Sequence, residues 1–248
     1  MESEIAVFPI VWVYWAVSLT VVTYASSYIV RRFPEHGFAA LTAFYTIYLG
    51  ASQIIASRIV AFDLGVYSFF APAAVFVYPF IAQAIDMVNE TYGRGKAHLA
   101  ILIAFITQVL LVVFIAMVNS LPPAPFFQFE EAWQSLFSLS IRITVASWVA
   151  FLICQNIDAY VFAWLKRKYE TKILLRSTVS DILDLTLDSV IFVTLAFYGV
   201  MPIVPLIIGQ IVSKNLIGIL DNPWFIWYKR MTGKAEVEWS SITVTQQA

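Results

Sequence analysis

Charge is scarce in this sequence. Asp, Glu, Lys and Arg together make up 12% of its 248 residues, about half of the roughly 25% found in an average soluble domain. Such a chain cannot cover itself with an ordinary water-soluble surface. A net charge of -1 and an isoelectric point near 6.1 leave no basic field that would hold nucleic acid. Cysteine occurs once, at Cys154, which excludes an intrachain disulfide and a thiolate metal site. Histidine occurs twice, at His36 and His98, too far apart for a metal-ligand spacing, so neither a metal nor another cofactor is expected. No glycine-rich phosphate-cradling G-x-x-x-x-G-K-[ST] stretch is present, and no repeat of fixed period appears. The acidic opening MESEIAVF and the long run after it argue against a cleaved signal peptide, so that run is expected to stay as a transmembrane helix.

What fills the sequence instead is apolar. Hydrophobic residues make up 60% of it, mean hydropathy is +0.80, and runs of about 18 residues or more recur along its length. They lie near 8 to 30, 38 to 60, 67 to 88, 97 to 118, 141 to 165, 180 to 199 and 203 to 221. The fold class that follows is all-α: a polytopic integral membrane helical bundle of seven spans, forming one domain over residues 1–234 with a polar, unpatterned tail over 235–248. Pro72 and Pro79 lie inside the third run, whose backbone must therefore lose hydrogen bonds and kink or unwind. The connection from 119 to 140 sets Trp133, Leu136 and Phe137 at helical spacing and is expected to lie flat on the outer interface.

Positive charge tests the span count, because cytoplasmic loops retain lysine and arginine. With seven crossings, Arg31, Arg32, Arg94, Lys96, Lys166, Arg167, Lys168, Lys172, Arg176, Lys229, Arg230 and Lys234, twelve of the fifteen basic residues, fall on one side. The expected topology is a multi-pass cell membrane protein with its N-terminus outside and its C-terminus in the cytoplasm.

An ionisable side chain at the bilayer centre costs roughly 2.5 to 3.5 kcal/mol on insertion scales, so each needs a partner, water or a place near the interface. Arg58, Asp86, Arg142, Asp158, Asp184, Asp188 and Lys214 fall within the spans. Asp181, Asp184 and Asp188 share one stripe of a helix, climbing about 10 Å. Asp188 precedes Met201 by as many residues as Lys214 follows it, and the turn between is short. The two should therefore face each other or a common ligand, either as a structural ion pair or as part of a site. On the fifth helix Ser147, Gln155 and Asp158 share a face, where hydroxyl and amide groups also serve as interhelical contacts. Asp86 and Asn89 stand one turn apart on the third, ahead of Glu90, Tyr92 and Gly93.

These residues resemble the queuosine precursor transporter family, also called the VUT family. The matching runs are P-F-x-x-x-x-x-D-x-x-N-E-x-Y-G from Pro79 to Gly93, R-x-x-x-A-S from Arg142 to Ser147, Q-x-x-D from Gln155 to Asp158, and D-S-x-x-F-x-x-x-x-F-x-G from Asp188 to Gly199, with Lys214 beyond. The likeness covers most of residues 40 to 225. On the second helix the family often shows Asn and Lys where this chain has Gln53 and Arg58, and it usually carries small and hydroxyl residues where this chain has Asp181 and Asp184.

The resemblance implies an architecture similar to the vitamin-binding membrane subunits of energy-coupling-factor importers. It implies uptake of a 7-deazaguanine precursor of modified tRNA nucleosides, 7-cyano-7-deazaguanine or its aminomethyl relative, by secondary or facilitated transport. Expected substrate contacts are Gln53, Arg58, Asp86, Asn89, Arg142, Ser147, Gln155, Asp158, Asp188, Ser189 and Lys214, with Asp158 or Asp188 reading the guanine-like edge. The partners are the deazapurine and the lipid bilayer, and a second copy or an energising partner stays open. The rival readings are an intramembrane enzyme, a receptor or assembly factor, and a vitamin- or nucleobase-binding subunit of a larger importer. An aspartyl protease would show a YD and a GxGD pair, and this sequence has neither.

Overall fold

The computed structural model describes residues 2–63, 68–168 and 173–245. Among the described residues the chain is all-α apart from one small hairpin. It runs α1 (Glu2–Arg32), α2 (Pro34–Ile55), β1 (Ile59–Asp63), β2 (Ser68–Pro72), a 3-10 turn (Ala73–Phe76), α3 (Tyr78–Tyr92), α4 (Arg94–Asn119), α5 (Glu130–Lys168), α6 (Ile173–Phe197), α7 (Ile203–Leu220) and α8 (Asn222–Thr245). Among the described residues five stretches are helical, long and apolar enough to cross a membrane: Trp12–Arg32, Pro34–Ile55, Arg94–Asn119, Glu130–Cys154 and Ile203–Gly233. The side chains that face outward from them are large and apolar, Leu102, Phe105, Ile106 and Phe114 of α4 among them, as lipid contact requires.

The third apolar run is not one helix. Residues 67 to 88 were expected as a span, and the chain instead folds β2 back on β1 as an antiparallel pair, with Val60 opposite Ala71 and Phe62 opposite Phe69. The cause is local. Pro72 lacks the N–H that a helix would need at that place, and Phe69 and Phe70 before it and Ile59 and Val60 on the facing strand are aromatic or branched, which suits extended backbone. Ala73 N–H then donates to the Arg58 carbonyl at 2.8 Å and closes the base of the hairpin. Helix resumes only at α3, where Pro79 sits in the first turn and needs no N–H partner. At 15 residues α3 is about 22 Å long, short of the roughly 30 Å hydrocarbon layer.

Two other boundaries differ from expectation. The stretch expected to lie flat before residue 141 is helical, as its spacing required, but it continues without a break into α5, which is 39 residues long. Trp133 Nε1 donates to Asn119 Oδ1 at 2.9 Å and ties that end to α4. The helix α8 runs to Thr245, through most of the tail expected to lack pattern. Pro223 in its first turn separates it from α7.

The chain divides into two compact units. The first comprises residues 1–49, 76–107 and 218–248. Its core gathers Val30, Leu41, Met87, Val88, Ala97, Ala100 and Tyr228, and α3 turns straight into α4 at Gly93, whose φ of 80° favours glycine. The second comprises residues 50–75 and 108–217. There Ala56, Ala146 and Ala196 pack with Ile143, Val193, Phe197 and Leu206, small residues that let α5 and α6 approach closely, as membrane helices do where apolar burial gives no driving force.

In the second unit the hairpin packs on α7. Phe69 and Ala71 are buried while Phe70 between them is exposed, the period of two expected of a strand. Gly209, about 9 Å into α7, meets the Phe70 backbone so closely that any Cβ would overlap it. Irregular backbone inside a membrane is tolerated where protein buries it, and α7 supplies that cover.

Candidate functional site

Gly199, with φ 78°, reverses the chain between α6 and α7. The two helices then run antiparallel, so residues equally far from the turn meet. Lys214 Nζ donates to Asp188 Oδ2 in an ion pair, as the equal spacing requires. The Lys214 side chain is 13% exposed and that of Asp188 is 26% exposed. The carboxylate therefore has its lysine on one side and an open approach on the other.

Polar residues adjoin the pair along both helices. Ser189, beside Asp188, is fully buried and donates to the Leu185 carbonyl at 2.7 Å. Ser213, beside Lys214, is buried and donates to the Gly209 carbonyl at 2.7 Å. Gln210 stands one turn before Lys214 on the same face, buried, with Oε1 accepting no hydrogen bond among the described residues. An orphaned buried acceptor costs roughly 1 to 3 kcal/mol unless something donates to it. Gln210 was not singled out from the sequence. The signal was there, a glutamine four residues before a lysine inside an apolar run. Gln108 of α4 was passed over in the same way, and its Nε2 is buried without a partner among the described residues.

Arg142 is turned toward the end of α6. Its Nε donates to the Leu195 carbonyl at 2.9 Å and its Nη2 to the Tyr198 carbonyl at 2.7 Å. These are carbonyls of the last helical turn, which lack intrahelical donors, and a cation there also suits the helix dipole. Ser147 is half-buried on α5, two turns past Ser140 and one turn past Thr144, both buried and each bonded to the carbonyl four residues earlier. Gln53 is buried in the last turn of α2, and Arg58 is exposed at the base of the hairpin. The side chains of Gln155, Asp158, Asp181 and Asp184 lie outside the described residues, although the backbone of each is helical.

Asp86 and Asn89 belong to the first unit and form with Glu90 an exposed polar stripe on α3. The opposite face of α3, with Gln83, Ala84, Met87 and Val88, is buried. Glu90 pairs with Lys229 of α8 at 2.9 Å, and Thr91 shares a 2.6 Å hydrogen bond with the Tyr228 hydroxyl. Gln83 Nε2 donates to the Asp221 carbonyl at 2.9 Å. Asp221 is a third residue that sequence reading missed, because hydropathy placed it at the end of a span.

Comparison with known proteins agrees with this picture. A chain from Bacillus subtilis (strain 168) named "Probable queuosine precursor transporter" is 25% identical over 200 residues, covering 79% of this chain and 86% of that one. No solved structure matches the chain. The family model described as "Putative vitamin uptake transporter" matches residues 72–228, from the end of β2 through the Asp188–Lys214 pair to the second turn of α8, and by that match over more than half its length the chain belongs to this family of membrane transporters.

Proposed function

We propose that the chain imports a 7-deazaguanine precursor of modified tRNA nucleosides, 7-cyano-7-deazaguanine or its aminomethyl relative, across the cell membrane by secondary or facilitated transport. The observation that carries this reading is the Asp188–Lys214 pair, a half-open carboxylate beside a lysine on two apolar helices. A carboxylate accepts two parallel hydrogen bonds from the ring N–H and exocyclic amine of a guanine-like edge, and an ammonium donates to the ring carbonyl. Each member of the pair thus has a use on the same heterocycle, and without substrate they neutralise each other. The name of the Bacillus subtilis relative points to the same substrate class.

In this reading Asp188 and Lys214 read the polar edge, with Gln210 and Ser189 beside them. Ser147, Gln155 and Asp158 of α5 complete the contacts, together with Gln53 and Arg58 from the end of α2. Arg142 acts by holding the end of α6. The basic ends of the helices face the cytoplasm, which places the N-terminus outside.

The test is uptake by sealed vesicles carrying the purified chain. Labelled 7-cyano-7-deazaguanine should enter saturably and unchanged, and unlabelled deazaguanines should compete while thiamine and riboflavin do not. Competition by a vitamin with none by deazaguanines would overturn the reading.

A further inference from the structure

Two corners of the first unit meet at one end of its spans. The stretches able to cross a membrane stop at Arg32 and begin at Pro34 and Arg94, so the corners between α1 and α2 and between α3 and α4 stand where hydrocarbon gives way to lipid headgroups. The Tyr92 hydroxyl donates to the Pro34 carbonyl at 3.5 Å, and the Tyr92 ring meets Phe38 edge to face at 5.9 Å. These contacts join the corners. Lys229 of α8 reaches the same end by pairing with Glu90 at 2.9 Å.

Each corner presents a basic side chain over an aromatic ring. The Arg32 guanidinium lies 5.8 Å from the centre of the Phe33 ring, which rests edge-on against Tyr28 at 6.4 Å. The Lys96 ammonium lies 4.9 Å from the centre of the Phe38 ring, the one that Tyr92 holds. The rings attract these cations and fix where they stand. Arg32 and Lys96 are nevertheless exposed, as are Arg31, Arg94 and Arg230. Of the nearby acids Glu90 is engaged by Lys229, which leaves Glu35 against five exposed cations.

Below Arg32 the surface of α1 is apolar. Val17, Val21, Tyr24 and Tyr28 are each half or more exposed and stand four, three and four residues apart, so they form one outward stripe. Arg31 and Arg32 follow Tyr28 by three and four residues and stand at its head. An acyl chain fits such a stripe, and a phosphate fits the cations above it, the arginines by their planar forks and the lysine as a point charge. A phospholipid carries both parts in one molecule. A zwitterionic headgroup brings a cation of its own into the basic cluster, whereas an anionic one is drawn to it.

We propose that Arg32 and Lys96, with Arg31 and Arg94 beside them, bind the headgroup phosphate of one anionic phospholipid whose acyl chain lies along the Val17 to Tyr28 stripe of α1. The lipid bridges the two corners and ties the ends of α1 and α2 to the start of α4. It binds whatever the transported compound is.

Native mass spectrometry of the purified full chain in an uncharged detergent tests this, with dioleoyl phosphatidylglycerol and dioleoyl phosphatidylcholine as probes. One phosphatidylglycerol should be retained per chain, several-fold more tightly than phosphatidylcholine. Each surface cation is worth about fivefold in affinity for an anionic lipid, so Arg32→Gln with Lys96→Gln should weaken retention roughly 25-fold. Lys166→Gln with Arg167→Gln removes the same charge from the second unit and should leave retention unchanged. Phe33→Leu with Phe38→Leu keeps every charge and should weaken it several-fold, because the rings hold the cations. Equal retention of the two lipids by the native chain overturns the site without recourse to any variant. So does equal loss in the two charge-removing pairs, which would make net charge the cause, or full retention after loss of both rings. Inorganic phosphate that displaces phosphatidylglycerol at equal concentration marks a free-anion site and overturns the lipid reading. Phosphatidylglycerol should also raise the melting temperature of the native chain but not that of the Arg32→Gln, Lys96→Gln pair, and an equal rise in both overturns the bridge.

Discussion

Gly209 of α7 and Phe70 of β2 touch backbone to backbone: a Cβ on Gly209 would stand 1.8 Å from the Phe70 carbonyl oxygen. Because that obstacle is main chain, it cannot swing aside as a side chain would. Gly209→Ala should therefore push the hairpin off α7 and lower stability by about 1–3 kcal/mol, the usual cost of overpacking. Thermal unfolding in detergent reads this directly. A melting temperature equal to that of the native chain would show that the hairpin does not rest on α7.

Breaking a buried ion pair by removing one partner costs about 3–5 kcal/mol when burial is complete. The open side of Asp188 should bring the loss to the lower end of that range. Asp188→Asn and Lys214→Met are each expected to lower the melting temperature and abolish uptake. The double variant should recover most of the stability and none of the uptake. If uptake returned with stability, the pair would be only a clamp between α6 and α7.

Arg142 reaches two carbonyls with two different nitrogens, a fork that lysine cannot reproduce. Arg142→Lys should keep one bond and lose the other, costing about 1.5 to 3 kcal/mol because the donor is charged. Hydrogen exchange at the end of α6, around Leu195 to Tyr198, should accelerate in that variant. Unchanged protection there would show that the guanidinium does not hold the turn.

The meeting of Asp188 and Lys214 could be read from the sequence because both stand equally far from a short turn, and helix geometry does the rest. The helical class was legible for the same reason: long apolar runs admit few other structures in lipid. The hairpin was not. Its two strands lay at the tail of one apolar run and the head of the next, and over five residues hydrophobicity does not separate strand from helix. Pro72 gave the warning without naming the alternative. Asp221 was hidden differently, because a span that ends and a span that breaks and resumes look alike until Pro223 is seen to start a second helix directly after the first in sequence. Gln210 and Gln108 went unmarked because an uncharged amide barely disturbs an apolar run. Its missing partner is visible only in three dimensions.

The lone cysteine makes the proposed orientation easy to check. Cys154 is buried on α5, so Cys154→Ala gives a cysteine-free background. New cysteines at Ser120 and Lys96 would stand exposed beyond or near opposite ends of α4, which spans 26 residues or about 39 Å. A membrane-impermeant maleimide added to intact cells should label position 120 and spare position 96 until the cells are opened. The reverse pattern would invert the topology.

The hairpin also constrains how the protein can be made. Strand edges carry unpaired N–H and C=O groups that lipid cannot satisfy, and the cover they need is α7, which is synthesised long after β2. Residues 59–72 must therefore wait in water or against the insertion machinery while most of the remaining helices enter the bilayer. Chains truncated before Gly209 should then leave this segment open to protease, and the last act of assembly is the seating of a short ribbon from the first third of the chain upon a helix from its final fifth.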